Sequence, residues 1–165
     1  HTVLVSRSGL VTVTGGKWTT YRAMAEDVLD KCFDKKLLEA TPAGVTTDLR
    51  LVGGDDAGLV RPPLCNPPGG HSYGSERPLV EQLPGAAREL GGGLTEAMVR
   101  FAARHEYART VEDVLARRSR LLFLDARLAT TLGPDVARLL QEETGQDPQA
   151  DAFSALAQHY VRLPV

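Results

Sequence analysis

The chain has 165 residues, 42% of them hydrophobic, with 19 Lys and Arg against 21 Asp and Glu for a net charge of -2. That is enough for one domain, or one domain plus a piece of another, with a buried core, and the near-neutral balance excludes the basic excess of a nucleic-acid binder. No apolar run approaches the roughly 20 residues of a membrane-spanning helix, no basic stretch leads into an apolar one as in a signal peptide, and the two cysteines, Cys32 and Cys65, have neither CxxC nor metal-ligand spacing and point to a reduced, cytosolic setting.

From its first residue the chain runs straight into a strand-like segment, the expected look of a piece cut from a longer protein. His1 to Val5 and Gly9 to Val13 are rich in β-branched residues and flank the turn signal Ser6-Arg7-Ser8-Gly9, which predicts a β-hairpin. Gly15-Gly16-Lys17-Trp18-Thr19-Thr20-Tyr21-Arg22 follows, then Met24, Val28, Leu29 and Cys32 at helical spacing, with Thr19 and Thr20 as candidate N-caps. From Asp34 to Leu90, glycine and proline pairs break any regular pattern. Short helices are expected only at Leu79 to Leu83 and Ala86 to Leu90, with Tyr73-Gly74 closing a turn.

From Gly91 onward the pattern is helical. Thr95 caps a helix carrying Met98, Val99, Phe101 and Ala102. Thr110-Val111-Glu112-Asp113 reads as a capping-box variant ahead of Val114 and Leu115. Leu121, Leu122, Leu124, Ala126 and Leu128 continue an apolar segment that Gly133-Pro134 is expected to end, with Pro134 opening the next helix on Val136, Leu139 and Leu140. Phe153, Leu156, Ala157 and Tyr160 form the last stripe. The fold class is therefore mainly α: a small C-terminal helical bundle of about four helices, preceded by a β-hairpin and a helix.

Chemistry concentrates between the hairpin and the first helix. Gly15 and Gly16 allow close backbone approach to a ligand. The helix beyond them offers free N–H groups and the positive end of its dipole, and Lys17 adds a full positive charge. Such a corner suits an anion: a phosphate, a carboxylate, or the N1/O2 locus of a reduced flavin. Gly-Gly-Lys before a helix is also a common plain turn, and no GxGxxG occurs in the chain.

The block Ser8-Gly9-Leu10-Val11-Thr12-Val13-Thr14-Gly15-Gly16-Lys17-Trp18-Thr19-Thr20-Tyr21-Arg22 resembles the end of the FAD-binding domain of FAD-dependent glycerol-3-phosphate dehydrogenases. Arg104-His105-Glu106-Tyr107-Ala108-Arg109-Thr110-Val111-Glu112-Asp113 is similar to that family's helical C-terminal domain. Gly54 to Gly70, proline-rich, departs from the family pattern. The resemblance implies residues 1–45 as the remnant of the FAD-binding domain and 46–165 as the helical domain with its connecting stretch. It implies an oxidoreductase that converts sn-glycerol 3-phosphate to dihydroxyacetone phosphate, with hydride passing to FAD and electrons to quinone. An oxidase relative, passing electrons to oxygen, carries the same motifs.

By motif position, Gly15, Gly16, Lys17, Trp18 and Thr19 would bind the cofactor, and Lys17 would also bind the substrate. The family's substrate-holding arginine falls just upstream of the position matching His1, so no catalytic set is complete here and the chain alone is expected neither to turn over nor to bind FAD. The full enzyme is expected in the cytoplasm, peripheral on the inner face of the membrane, as a homodimer, with no nucleic acid and no metal. The alternative is that the helical domain is an interaction module for a dimer, a membrane or a partner.

Plainer readings stand beside these. Lys17 would be a solvated lysine and Trp18 would pack on the hairpin. Arg22 would pair with Glu26. Arg117, Arg118 and Arg120 would complement a helix C-terminus, and His105 with Glu106 would be structural. His71 receives no role.

Overall fold

A computed structural model describes residues 1–39, 41, 44–54 and 68–161. The proline-rich reading, and Cys65 within it, fall largely on residues 55–67, outside the described ones. The chain forms two compact units, His1–Arg50 and Leu51–Val165.

In the first unit β1 (Thr2–Val5) and β2 (Val11–Thr14) pair antiparallel, with Thr2 opposite Thr14 and Val5 opposite Val11. The turn closes where the Ser6 N–H donates to the Leu10 carbonyl at 2.9 Å and the Gly9 N–H to that of Ser6 at 3.1 Å. A single 3-10 turn, Trp18–Thr20, leads into α1 (Tyr21–Asp34). Two details differ from the sequence reading. Neither threonine caps the helix: Thr20 stands at the N-cap, but its hydroxyl donates back to the Lys17 carbonyl at 3.0 Å and so serves the 3-10 turn. Leu29, read at helical spacing with Met24, Val28 and Cys32, is 46% exposed. Among the described residues of this unit only Cys32 is buried.

The second unit holds the helical core. A 3-10 segment, Gly70–Glu76, runs into α2 (Arg77–Glu81), and β3 (Glu89–Gly91) pairs with β4 (Leu94–Thr95). The helix expected at Ala86 to Leu90 is therefore absent. Gly85 takes φ +80, the Arg88 N–H closes a turn on the Gly85 carbonyl at 3.0 Å, and the chain leaves extended. The hairpin tip, Gly91 to Gly93, lies wholly at positive φ, and a Cβ on Gly92 would come within 3.0 Å of Leu121. Only glycine meets both demands.

α3 (Glu96–His105) is the central helix. Met98, Val99, Phe101 and Ala102 are each no more than 4% exposed, as the periodicity predicted, and Thr95 caps it by accepting the Met98 N–H at 3.3 Å. The Thr110–Asp113 box also forms: the Asp113 N–H donates to the Thr110 hydroxyl at 3.2 Å and the Thr110 N–H to the Asp113 carboxylate at 2.9 Å. The helix that follows is a π-helix, Asp113–Arg118, closed by buried Ser119, whose hydroxyl donates to the Val114 carbonyl at 2.9 Å.

α4 (Leu121–Leu124) is a single turn, and α5 (Ala126–Thr144) then runs unbroken through Gly133-Pro134. The predicted break fails for two reasons. Pro134 lies on the exposed face, where the carbonyl it leaves without an N–H can meet water, whereas Leu132, Val136, Leu139 and Leu140 stay buried along the other. Burial on both sides of the proline outweighs a penalty of about 3 kcal/mol. Asp125 caps α5 by accepting the Leu128 N–H at 2.9 Å, and Gly145, left-handed at φ +66, ends it. α6 (Ala150–Val161) packs on α5 through Phe153 and Ala157, while Tyr160, expected in that stripe, is 48% exposed. No helix among the described residues is long and apolar enough to cross a membrane.

Candidate functional site

The Gly-Gly-Lys corner lies where the sequence puts it, between the end of β2 and the 3-10 turn before α1. Gly15 and Gly16 take φ +74 and +93, which turns the chain out of the sheet. The two glycines differ in what they face. A Cβ on Gly15 would meet only the His1 backbone, at 3.7 Å, but one on Gly16 would lie 2.5 Å from the Met24 sulfur. A side chain at 16 would therefore have to displace the end of Met24 as well as adopt a φ of +93.

Lys17 is extended and exposed, and its ammonium makes no ion pair or hydrogen bond among the described residues. The N–H groups of Gly16 and Lys17 likewise take no partner there. Trp18 does not pack on the hairpin. It is 86% exposed and stacks on Tyr21, ring centroids 5.3 Å apart. Thr19 is exposed beside it. The corner therefore gathers one cation, free backbone N–H groups and an aromatic face on one exposed segment. Behind it, the His1 ring nitrogen meets the Asp27 carboxylate at 3.0 Å, and Arg22 pairs with Glu26 on α1. The Trp18–Tyr21 stack was legible as an aromatic pair three residues apart; the His1–Asp27 link, made across the unit, left no sequence signal.

Of the other ionic groups singled out, Arg117 and Arg118 are engaged within the helical unit. Arg117 pairs with Glu112 at 2.5 Å and Asp113 at 2.9 Å, and Arg118 donates to the Glu106 carbonyl. Arg120 belongs to no helix C-terminus; it precedes α4 in the left-handed conformation, φ +59. The His105 ring lies tilted against Phe101, centroids 4.7 Å apart. Burial pushes the Glu106 carboxyl above the usual range, although Arg118 opposes this.

A charged seam escaped the sequence reading altogether. Arg100, its side chain 13% exposed, donates to Glu96 at 2.6 Å, to Glu143 at 2.6 Å and to Glu142 at 2.9 Å, joining α3 to α5. Glu96 and Arg100 are spaced i,i+4 on α3, but their partners on α5 lie some forty residues away. Hydrogen bonds from Arg100 hold Glu96 below the usual carboxylate range, and those from Arg104 do the same for Glu143. Among the described residues no cluster of His, Cys, Asp or Glu is arranged to hold a metal.

The helical fold has a known counterpart: residues 70–151 match the C-terminal domain of alpha-glycerophosphate oxidase. Three relatives extend the likeness over most of the chain. The probable mitochondrial glycerol-3-phosphate dehydrogenase of Dictyostelium discoideum is 34% identical, over 85% of this chain and 24% of that protein. The mitochondrial enzymes of the same name from Schizosaccharomyces pombe and Caenorhabditis elegans (the latter a probable one) are 31% and 35% identical, over 98% and 88% of the chain and 31% and 23% of their own lengths. The chain belongs to the glycerol-3-phosphate dehydrogenase and oxidase family. It spans about a quarter to a third of the length of these curated relatives. No solved structure matches it significantly.

Proposed function

We propose that this chain is the C-terminal part of an FAD-dependent enzyme that oxidises sn-glycerol 3-phosphate to dihydroxyacetone phosphate and passes the electrons to quinone. The single observation that carries the reading is the exposed, unpartnered Lys17 ammonium beside the free N–H groups of Gly16 and Lys17. The relatives' names supply the substrate class.

The corner fits a flavin wall. Gly15 and Gly16 take positive φ, the Gly16 and Lys17 N–H groups have no partner among the described residues, and Trp18 offers a flat apolar face. Bound FAD would supply the two-electron acceptor. Lys17 would hold the substrate phosphate and favour negative charge next to it, a role worth most where water is excluded. Gly15, Gly16, Trp18 and Thr19 would shape and close that wall. One wall does not make a site, so the chain by itself would neither turn over nor retain FAD. A yellow stoichiometric complex surviving gel filtration would refute that part.

The test of the main reading is Lys17→Ala in the full enzyme. The expected result is a fall in kcat/KM for glycerol 3-phosphate of about 100-fold, the order of losing one charged contact to the transition state. An unchanged kcat/KM would leave Lys17 a solvated surface residue.

A second reading assigns the helical unit a docking role, as dimer contact or at a membrane. It is favoured by Phe123, Leu124 and Tyr160, which are 51%, 68% and 48% exposed, with Phe123 edge-on to Tyr160 at 5.5 Å. A monomer by light scattering that leaves liposomes untouched would remove it.

A further inference from the structure

Within the helical unit a cavity of about 220 Å³ opens beside the C-terminal half of α3. Its floor is apolar: Leu94, Met98, Ala102 and Val114, each no more than 4% exposed. Its rim is polar and comes from three separate segments. Tyr73 projects from the 3-10 segment, Glu106 from the end of α3, and Arg118 and Arg120 from the link between the π-helix and α4.

The two guanidinium groups are only partly used. Arg118 gives one N–H to the Glu106 carbonyl, and its Nε stands 4.0 Å from the Glu106 carboxylate, beyond hydrogen-bond reach. The Arg120 carbonyl accepts the Phe123 and Leu124 N–H groups, but its guanidinium makes no hydrogen bond among the described residues and lies 5.9 Å from the Phe123 ring. Its left-handed backbone, φ +59, is uncommon for a residue other than glycine, and such conformations cluster at ligand sites. Two cations with open donors thus face an apolar cleft, against a single carboxylate. A pocket with an apolar lining and a few converging polar groups is the common form of a small-molecule site.

We propose that this cavity binds a small monocarboxylate with a short apolar tail, the tail on Met98 and Ala102 and the carboxylate on Arg118 and Arg120. Among the residues that line the cavity two guanidiniums stand against one glutamate, and with Glu76 acting on Glu106 from outside the lining the positive excess at the rim is at most one charge, which matches a monoanion. A dianion would meet repulsion from Glu106, a cation would meet both arginines, and an uncharged ligand would leave their donors open. The planar fork of arginine also matches a carboxylate in two parallel hydrogen bonds.

The chain contains two methionines, so methyl-labelled NMR reports the proposal directly. Met98 lines the cavity and Met24, in the first unit, is the internal control. Hexanoate is the probe. It is expected to shift the Met98 methyl saturably, leave Met24 in place, and bind at least about tenfold more tightly than 1-hexanol or hexylamine. Arg120→Ala, at an exposed residue, is expected to weaken hexanoate about tenfold and hexanol hardly at all. The proposal is overturned if Met98 does not respond, if both methyls move in step, if hexanol binds as well as hexanoate, or if Arg120→Ala leaves hexanoate affinity unchanged.

Discussion

Arg100→Ala tests whether the seam between α3 and α5 holds the helical unit together. The wild-type guanidinium serves Glu96, Glu142 and Glu143 at 2.6, 2.9 and 2.6 Å. The Glu96 and Glu143 side chains are only 9% and 8% exposed. Removing one partner of a buried ion pair costs about 3–5 kcal/mol, because the other charge is stranded. Here neither glutamate is wholly abandoned: Arg88 remains 3.0 Å from Glu96 and Arg104 remains 2.6 Å from Glu143. The expected loss is therefore about 2–3 kcal/mol. Arg138→Ala is the control, since its pair with Glu142 is exposed on both sides, at 44% and 43%, and should cost no more than about 0.5 kcal/mol. Urea unfolding followed by far-UV circular dichroism reads the helical unit; the single tryptophan, Trp18, lies in the other unit and would not. The sign of the pH dependence is fixed as well. Glu96 and Glu143 have lowered folded-state pKa values, so their stabilisation is present above the ordinary value of 4.5 and lost as pH falls through the folded values. The gap between Arg100→Ala and wild type should accordingly narrow in acid. If the two arginine variants lose equal stability at neutral pH, the seam is no stronger than a surface pair and the reasoning from burial fails.

Three further substitutions separate local causes. Glu106 has a raised pKa, so its charged form is penalised once pH rises above the ordinary value of 4.5; Glu106→Gln is expected to stabilise the chain at pH 7, with the difference vanishing below that value in a pH series of urea melts. Pro134→Ala restores an N–H inside α5 and is expected to raise stability by about 1 kcal/mol, less than the full helix penalty because the unfolded chain also gains freedom; a loss instead would mean that packing of α5 needs the proline. Gly16→Ala puts a methyl 2.5 Å from the Met24 sulfur at φ +93 and is expected to cost the first unit at least about 1 kcal/mol, read by Trp18 fluorescence, whereas an unchanged melt would show that α1 shifts freely.

What was legible in the sequence was local. Thr95 and Thr110 announced their caps because the partner atoms lie three residues on, and Met98, Phe101, Leu139 and Leu140 announced the core because a helical period repeats within one element. The misreading at Pro134 has a tertiary cause. Pro134 breaks helices by local preference, yet a continuous apolar face of α5 on either side of it decides otherwise, and that depends on α3 and α6 being there to cover it. The Arg100 seam and the cavity beside α3 were invisible for the same reason: their residues meet only after elements far apart in the chain are packed.

Lys17 and its neighbours were readable because they are contiguous, but contiguity conceals that the two glycines differ in their surroundings. Gly16 is held to glycine by its φ of +93 whatever binds outside, and a Cβ there would also have to push the flexible end of Met24 aside. Gly15 has room for a Cβ against the fold and is held to glycine only by its φ of +74. A motif read as one ligand-facing surface is thus in part a backbone constraint. The residues freest to serve a ligand are the most exposed ones: Lys17 with its unpaired ammonium and Trp18, 86% exposed although it stacks on Tyr21. In the full enzyme, loss of binding after substitution at those two positions, with folding intact, is what would separate function from packing; Gly16→Ala cannot do so, because it disturbs the fold before it reaches any ligand.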